Sequence, residues 1–163
     1  MKKFALLLLS VLLFSCNTNA QSKKKKGSFP ITKTEAEWKE TLSSQEYYVM
    51  REQGTERAFS SELNKTNNKG TYACAACGTA LFKSEYKYDS GSGWPSFDRE
   101  IEGNVAFSTD NDLRYTRTEE HCANCGGHLG HVFNDGPSNT TGLRHCINGT
   151  ALQFIPIKTL DEK

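Results

Sequence analysis

The stretch RHCING, residues 144–149, carries a cysteine whose spacing ties it to nothing else in the chain. Of the six cysteines, Cys16 sits in an apolar N-terminal run, and Cys74, Cys77, Cys122 and Cys125 form two CxxC pairs. Cys146 has no partner at metal-ligand or disulfide-motif spacing. If LRHCIN is a strand, its side chains alternate between faces. Arg144, Cys146 and Asn148 then share one face, and Leu143, His145 and Ile147 share the other. A guanidinium two residues away favours thiolate over thiol, and thiolate is the nucleophile. Asn148 can bond a substrate or orient a neighbour. The plainer reading is a buried structural cysteine, and the polar residues beside it on the same face speak against that.

The pairs CAAC and CANC are each followed by glycine and are separated by 44 residues. Two such knuckles supply four thiolates in a tetrahedron, the arrangement that suits Zn²⁺. Iron also accepts four sulfurs, and in an exported protein two disulfides are the competing reading. A zinc with all four positions filled is structural, because catalytic zinc keeps a position open. This motif therefore holds the fold, and the chemistry has to come from elsewhere. GGHLGHVFNDGP, residues 126–137, reads as a glycine-bounded segment that presents His128 and His131 as donors of protons or hydrogen bonds near neutral pH. DSGSGWPSF, residues 89–97, presents Trp94 after a flexible Gly-Ser-Gly turn, either as core or as the wall of a small apolar pocket.

These residues need a scaffold. Capping boxes at Thr34/Glu37 and Ser43/Glu46 predict two short helices. Beyond them the helix signals fade. Short β-type runs follow: TYACA, TALF, YKY, NVAFS, LRYTRT, LRHCIN and ALQFIPI, punctuated by Gly, Asn, Asp and Pro. The expected class is mainly β, two antiparallel sheets with short N-terminal helices and a four-cysteine zinc site. At 163 residues with 20 basic and 19 acidic side chains, the chain has room for one ordinary domain and no basic field that would argue for nucleic acid.

The N-terminus, MKKFALLLLSVLLFSC, joins two lysines to an apolar run too short for a bilayer of ~30 Å but suited to a secretory signal. Two cut sites fit. LFSC resembles a bacterial lipobox, which would lipidate Cys16; TNA before Gln21 resembles an ordinary signal-peptidase site. Either way the expectation is export, as a periplasmic or membrane-anchored bacterial protein, with Cys16 lost to chemistry. Loss of Lys2 and Lys3 leaves 18 basic against 19 acidic residues. The segments expected are a leader over 1–20, a Lys-rich linker over 21–30 and one domain over 31–163.

The motifs GTERAFSSELN, CAACGTALF, YDSGSGWPSF, CANCGGHLGHVFNDGP and LRHCINGTALQF, in this order, resemble the methionine sulfoxide reductase B family from about Thr34 to Ile157. The resemblance implies reduction of R-methionine sulfoxide in oxidised proteins, one enzyme type serving each sulfoxide epimer. It implies Cys146 as catalytic cysteine, His128, His131, Asn148 and Arg144 as polar active-site residues, and Trp94 and Phe133 as apolar contacts of the substrate methyl. It further implies Cys74, Cys77, Cys122 and Cys125 as the ligands of a structural Zn²⁺. Many members carry a resolving cysteine in the GSGWPSF turn, where this chain has Ser92. No internal disulfide is therefore expected at turnover. An external thiol such as a thioredoxin-like protein would reduce a Cys146 sulfenic acid directly, and the protein is expected to act as a monomer. Two other classes compete: a zinc-ribbon binding module, which leaves Arg144, Cys146 and Asn148 without a purpose, and a general thiol oxidoreductase, which needs a CxxC not held by metal.

Overall fold

The computed structural model describes residues 29–157. The leader, Cys16 and most of the linker lie outside the described residues. Among the described residues no helix is long and apolar enough to cross a membrane.

Both capping boxes form. Helix α1 (Glu35–Thr41) starts where the Thr34 hydroxyl accepts from the Glu37 amide at 3.3 Å and the Glu37 carboxylate accepts from the Thr34 amide at 2.7 Å. Helix α2 (Ser44–Glu52) starts the same way on Ser43 and Glu46, at 3.3 and 2.8 Å. Each pair satisfies two amides that a helix start leaves without partners. The buried face is short: Trp38 from α1, and Val49 and Met50 from α2. Through it α2 packs on the larger sheet and on the turn Gly149–Ala151.

Among the described residues nine strands follow: β1 (Gly70–Cys74), β2 (Ala80–Lys83), β3 (Lys87–Tyr88), β4 (Ser96–Phe97), β5 (Val105–Asp110), β6 (Arg117–Cys122), β7 (His128–Phe133), β8 (Arg144–Ile147) and β9 (Leu152–Pro156). They make two antiparallel sheets, β2-β1-β9 and β3-β4-β8-β7-β6-β5. The core between them holds Tyr72, Leu81, Phe82, Phe97, Leu129 and Ile147, all fully buried. Phe82 stacks on Phe97 with centroids 4.3 Å apart, and Tyr72 meets Phe97 edge-on at 5.0 Å. Each such side chain contributes roughly 1.5–3 kcal/mol on burial.

Two sequence expectations differ from the structure. Residues 126–137 read as a glycine-bounded segment, yet His128–Phe133 is a strand in the middle of the six-stranded sheet. Two histidines and a glycine in six residues hide it, because β propensity reflects fit to neighbours rather than backbone preference. Gly130 is required by that fit: a Cβ there would lie 2.0 Å from the Cys146 carbonyl oxygen on β8. LRYTRT reads as one strand, but β6 begins only at Arg117, and residues 111–116 form the hairpin loop that brings Arg117 opposite Asp110.

Candidate active site and four-sulfur centre

Strand β8 alternates as its sequence implies. His145 and Ile147 are fully buried in the core, while Arg144 and Cys146 are partly exposed on the other face. β8 lies between β4 and β7, with Cys146 paired to Ser96 on one side and to His131 on the other. Cys146 opens into an apolar-lined pocket of about 120 Å³ whose walls include Trp94, Phe133, His131 and Asn148. Sites for whole small molecules run to ~300–1,000 Å³, so this one suits the end of a side chain.

Each wall is fixed from behind. Trp94 donates its indole N–H to the Glu56 carbonyl at 3.2 Å. Asn148 accepts from the Glu56 amide at 3.0 Å and donates to the Leu129 carbonyl at 3.0 Å, so it ties the end of β8 to the 54–56 segment. The buried Glu56 carboxylate accepts from the Gly149 and Thr150 amides at 2.7 and 2.8 Å and from the Thr150 hydroxyl at 2.6 Å. Neither Glu56 nor the pocket-lining Thr55 stood out in the sequence; their only signal is the GTERAFSSELN motif.

The two histidines occupy different positions. His131 lines the pocket and donates Nε2–H to Asp110 Oδ2 at 2.7 Å; Arg117, also in the pocket wall, donates to the same oxygen at 2.6 Å. His128 is 2% exposed, donates Nδ1–H to Glu119 at 2.8 Å and meets the His131 ring edge-on at 5.4 Å. Burial works to raise the Glu119 carboxyl, but donors from His128, Gln53 and Ser108 overcome it and hold the group down at about 2. Asp110 likewise sits below the carboxylate range: burial opposes this, and bonds from the Asp112 amide, His131 and Arg117 outweigh it. Asp110, Arg117 and Glu119 were not legible as site residues, since nothing local marks them.

Burial lowers the His131 imidazole, with Asp110 pulling the other way. Burial also pushes the Cys146 thiol up, against smaller pulls from Ser92 and Arg144. The sequence led us to expect an arginine-stabilised thiolate. The difference has a plain cause: burial outweighs the pull of the Arg144 guanidinium, which is also shared with Asp135 in a two-pronged pair at 2.8 and 2.9 Å and lies 4.5 Å over the Phe133 ring. Both shifts favour the uncharged forms, thiol and imidazole, in the resting site. Ser92 stands beside the thiol, Oγ to Sγ 3.8 Å.

The four remaining described cysteines converge elsewhere. Their sulfurs lie within 4.8 Å of one another, with Cys74–Cys125 at 3.7 Å and Cys77–Cys122 at 3.6 Å. Sulfurs in a disulfide would be at ~2.05 Å. Four at ~2.3 Å around one tetrahedral metal would sit ~3.8 Å apart, so the cluster fits a metal centre. Each knuckle closes alike: Gly78 and Gly126 adopt φ of +75° and +66° and donate their amides to Cys74 and Cys122 at 2.8 and 2.9 Å. Left-handed backbone of this kind favours glycine.

The fold and its two centres define a mainly β domain in which a four-sulfur cluster is kept apart from one pocketed cysteine backed by histidine–carboxylate pairs. Residues 42–156 match the model of the SelR domain. Curated relatives named peptide methionine sulfoxide reductase MsrB come from Leptospira interrogans (50% identical, 78% of this chain and 97% of the relative), Agrobacterium fabrum (48%, 78% and 94%) and Methanosarcina barkeri (48%, 76% and 87%). The chain belongs to the SelR-domain family of MsrB oxidoreductases.

Proposed function

We propose that the protein reduces the R epimer of methionine sulfoxide in oxidised proteins to methionine, with Cys146 as the catalytic cysteine. The observation that carries the reading is the pocket itself: a thiol, an apolar wall for a methyl group and a carboxylate-backed imidazole meet in a volume too small for a whole ligand.

The side chain's methyl packs between Trp94 and Phe133, where sulfur–aromatic contacts contribute about 0.3–1.5 kcal/mol. With Nε2–H engaged by Asp110, neutral His131 keeps Nδ1 as an acceptor. It takes the Cys146 proton as the sulfur attacks and delivers it to the sulfoxide oxygen; Asp110 stabilises the imidazolium in between. Oxygen leaves with the cysteine as sulfenic acid and methionine departs, so thiol plus sulfoxide gives sulfenic acid plus thioether with no net proton gained or lost. Asn148 holds the Glu56 segment and hence Trp94, and Arg144 supports Phe133 and the end of β8. His128 acts through its contact with His131.

The Cys74, Cys77, Cys122 and Cys125 site would hold Zn²⁺, which ties the 74–78 and 122–126 turns together and takes no part in the redox step. Because Ser92 cannot form a disulfide, an external thiol such as that of a thioredoxin-like protein regenerates the enzyme. The N-terminal leader supports an exported enzyme, either periplasmic or anchored through a lipidated Cys16. The test is turnover of separated R- and S-sulfoxides by the purified protein and by Cys146→Ser. Reduction of the R epimer alone, lost in the variant, is expected; reduction surviving in Cys146→Ser would refute the reading.

A further inference from the structure

A second cavity lies beside the first. It measures about 450 Å³, and its walls are Tyr88, Asp89, the 90–92 turn, the 135–137 segment and Arg144; it shares no lining residue with the apolar pocket. Arg144 faces the larger cavity while stacking on Phe133, which faces the smaller, so this pair forms part of the partition. Ser92 lines the larger cavity and touches Cys146 Sγ, whereas Cys146 lines the smaller. The reactive sulfur therefore stands at the junction of two separately walled spaces.

Resting on the reading of Cys146 as the sulfur that takes up oxygen, we propose that the polar cavity is the binding site of the reducing thiol, which enters by a different door from the methionine sulfoxide. Substitution at sulfur runs along the line of the bond that breaks. The oxygen is acquired on the pocket side, so the incoming thiol has to reach Sγ from the side away from that pocket, and Ser92 marks the contact there. The thiol sulfur bonds to Cys146 Sγ, the S–O bond breaks, and hydroxide leaves with the thiol proton as water. A second thiolate of the reductant then attacks the reductant's sulfur of this mixed disulfide. It is oxidised to a disulfide, and the Cys146 thiolate is released.

The lining supports a polar, non-anionic ligand. Tyr88 lines this cavity, and its buried hydroxyl just behind the wall has no hydrogen-bond partner among the described residues. Asp89 and Asp135 set two acidic side chains against the one guanidinium, and Asp135 already holds that. Neutral or cationic thiols are favoured over anionic ones, whether they come as small molecules or on an exposed loop of a reductase.

The experiment separates the two half-reactions. Pro137 lines the polar cavity and takes no part in the substrate pocket. In Pro137→Trp, whose indole would fill the cavity, one equivalent of R-sulfoxide should release methionine at the wild-type rate. Reduction of the resulting sulfenic acid should slow about tenfold or more, as small displacements of reacting groups do. The slowing should appear with dithiothreitol and with a thioredoxin alike; slowing with thioredoxin alone would assign the cavity to the protein reductant only. Unchanged regeneration by both would overturn the proposal. Asp89→Asn keeps the side-chain oxygen that accepts from Gly91, so it retains the turn. In the wild type, cysteamine should outpace 3-mercaptopropionate by about threefold or more, the effect of one exposed charge at ~6 Å in water. Asp89→Asn should narrow that gap, and an unchanged ratio would count against the site. Failure of the wild type itself to release methionine would instead defeat the reading of Cys146 and leave the cavity's thiol selectivity as a separate result.

Discussion

Replacing Glu56 with alanine is expected to loosen the active site and the domain together. Glu56 is 5% exposed, and its carboxylate accepts three hydrogen bonds, from Gly149 N–H, Thr150 N–H and Thr150 O–H, at 2.7, 2.8 and 2.6 Å. Bonds to a charged group contribute roughly 1.5–3 kcal/mol each, and they are not additive when one group serves all three. Alanine also leaves the Gly149 and Thr150 amides without acceptors. About 3–5 kcal/mol is therefore lost, out of a stability on the order of 5–15 kcal/mol. For a domain of this size that corresponds to a fall in Tm of roughly 10–20 °C. Glu56→Gln keeps one acceptor oxygen but turns an amide donor toward the other donors, and should lose about half as much. The backbone of Glu56 also carries Trp94 on its carbonyl and Asn148 on its amide. Reduction of R-sulfoxide should therefore weaken even well below the new Tm, chiefly through a raised KM. Urea denaturation followed by far-ultraviolet circular dichroism gives the stability, and initial rates at low temperature give the activity. A Glu56→Ala loss under ~1 kcal/mol would refute the view that this buried carboxylate anchors the site.

Four other outcomes follow from the geometry. His131 is shifted below its ordinary 6.5 and Cys146 above its ordinary 9.0, so single-turnover methionine release should be flat from about pH 6.5 to 9 and fall on either side. Alkylation of resting Cys146 by iodoacetamide should instead keep rising past pH 9, and a plateau below pH 8 would reveal a preformed thiolate. Elemental analysis should find one zinc per chain, and its removal by a strong chelator should unfold the domain, because a structural site contributes ~10–16 kcal/mol; an unchanged melting curve would contradict the structural role. Ser92→Cys, with its side chain beside Sγ, should form a disulfide with Cys146 on exposure to R-sulfoxide, and peptide mapping that shows none would count against the observed approach.

The sequence announced what local chemistry determines. The Thr34/Glu37 and Ser43/Glu46 boxes form as written, the two CxxCG knuckles meet, and the alternation of Arg144, His145, Cys146 and Ile147 holds across β8. What stayed hidden depends on partners far along the chain. β7 is a strand because β6 and β8 flank it, and its glycine reads as loop until the Cys146 carbonyl beside it is known. Glu56 finds its donors more than 90 residues away. Asp110 and Arg117 acquire meaning only when the β5–β6 hairpin brings both to His131. The surroundings of the Cys146 sulfur were half legible for the same reason: the nearby arginine was visible, while its pairing with Asp135 and the burial that raises the thiol were not.

The most direct test of the central claim is the intact mass and peptide map of the protein after one equivalent of R-methionine sulfoxide in the absence of any thiol. One added oxygen, captured on Cys146 by a sulfenic-acid reagent and matched by one methionine per chain, is the predicted result. Methionine released while Cys146 stays unmodified, or an oxygen found on a knuckle cysteine, would contradict it.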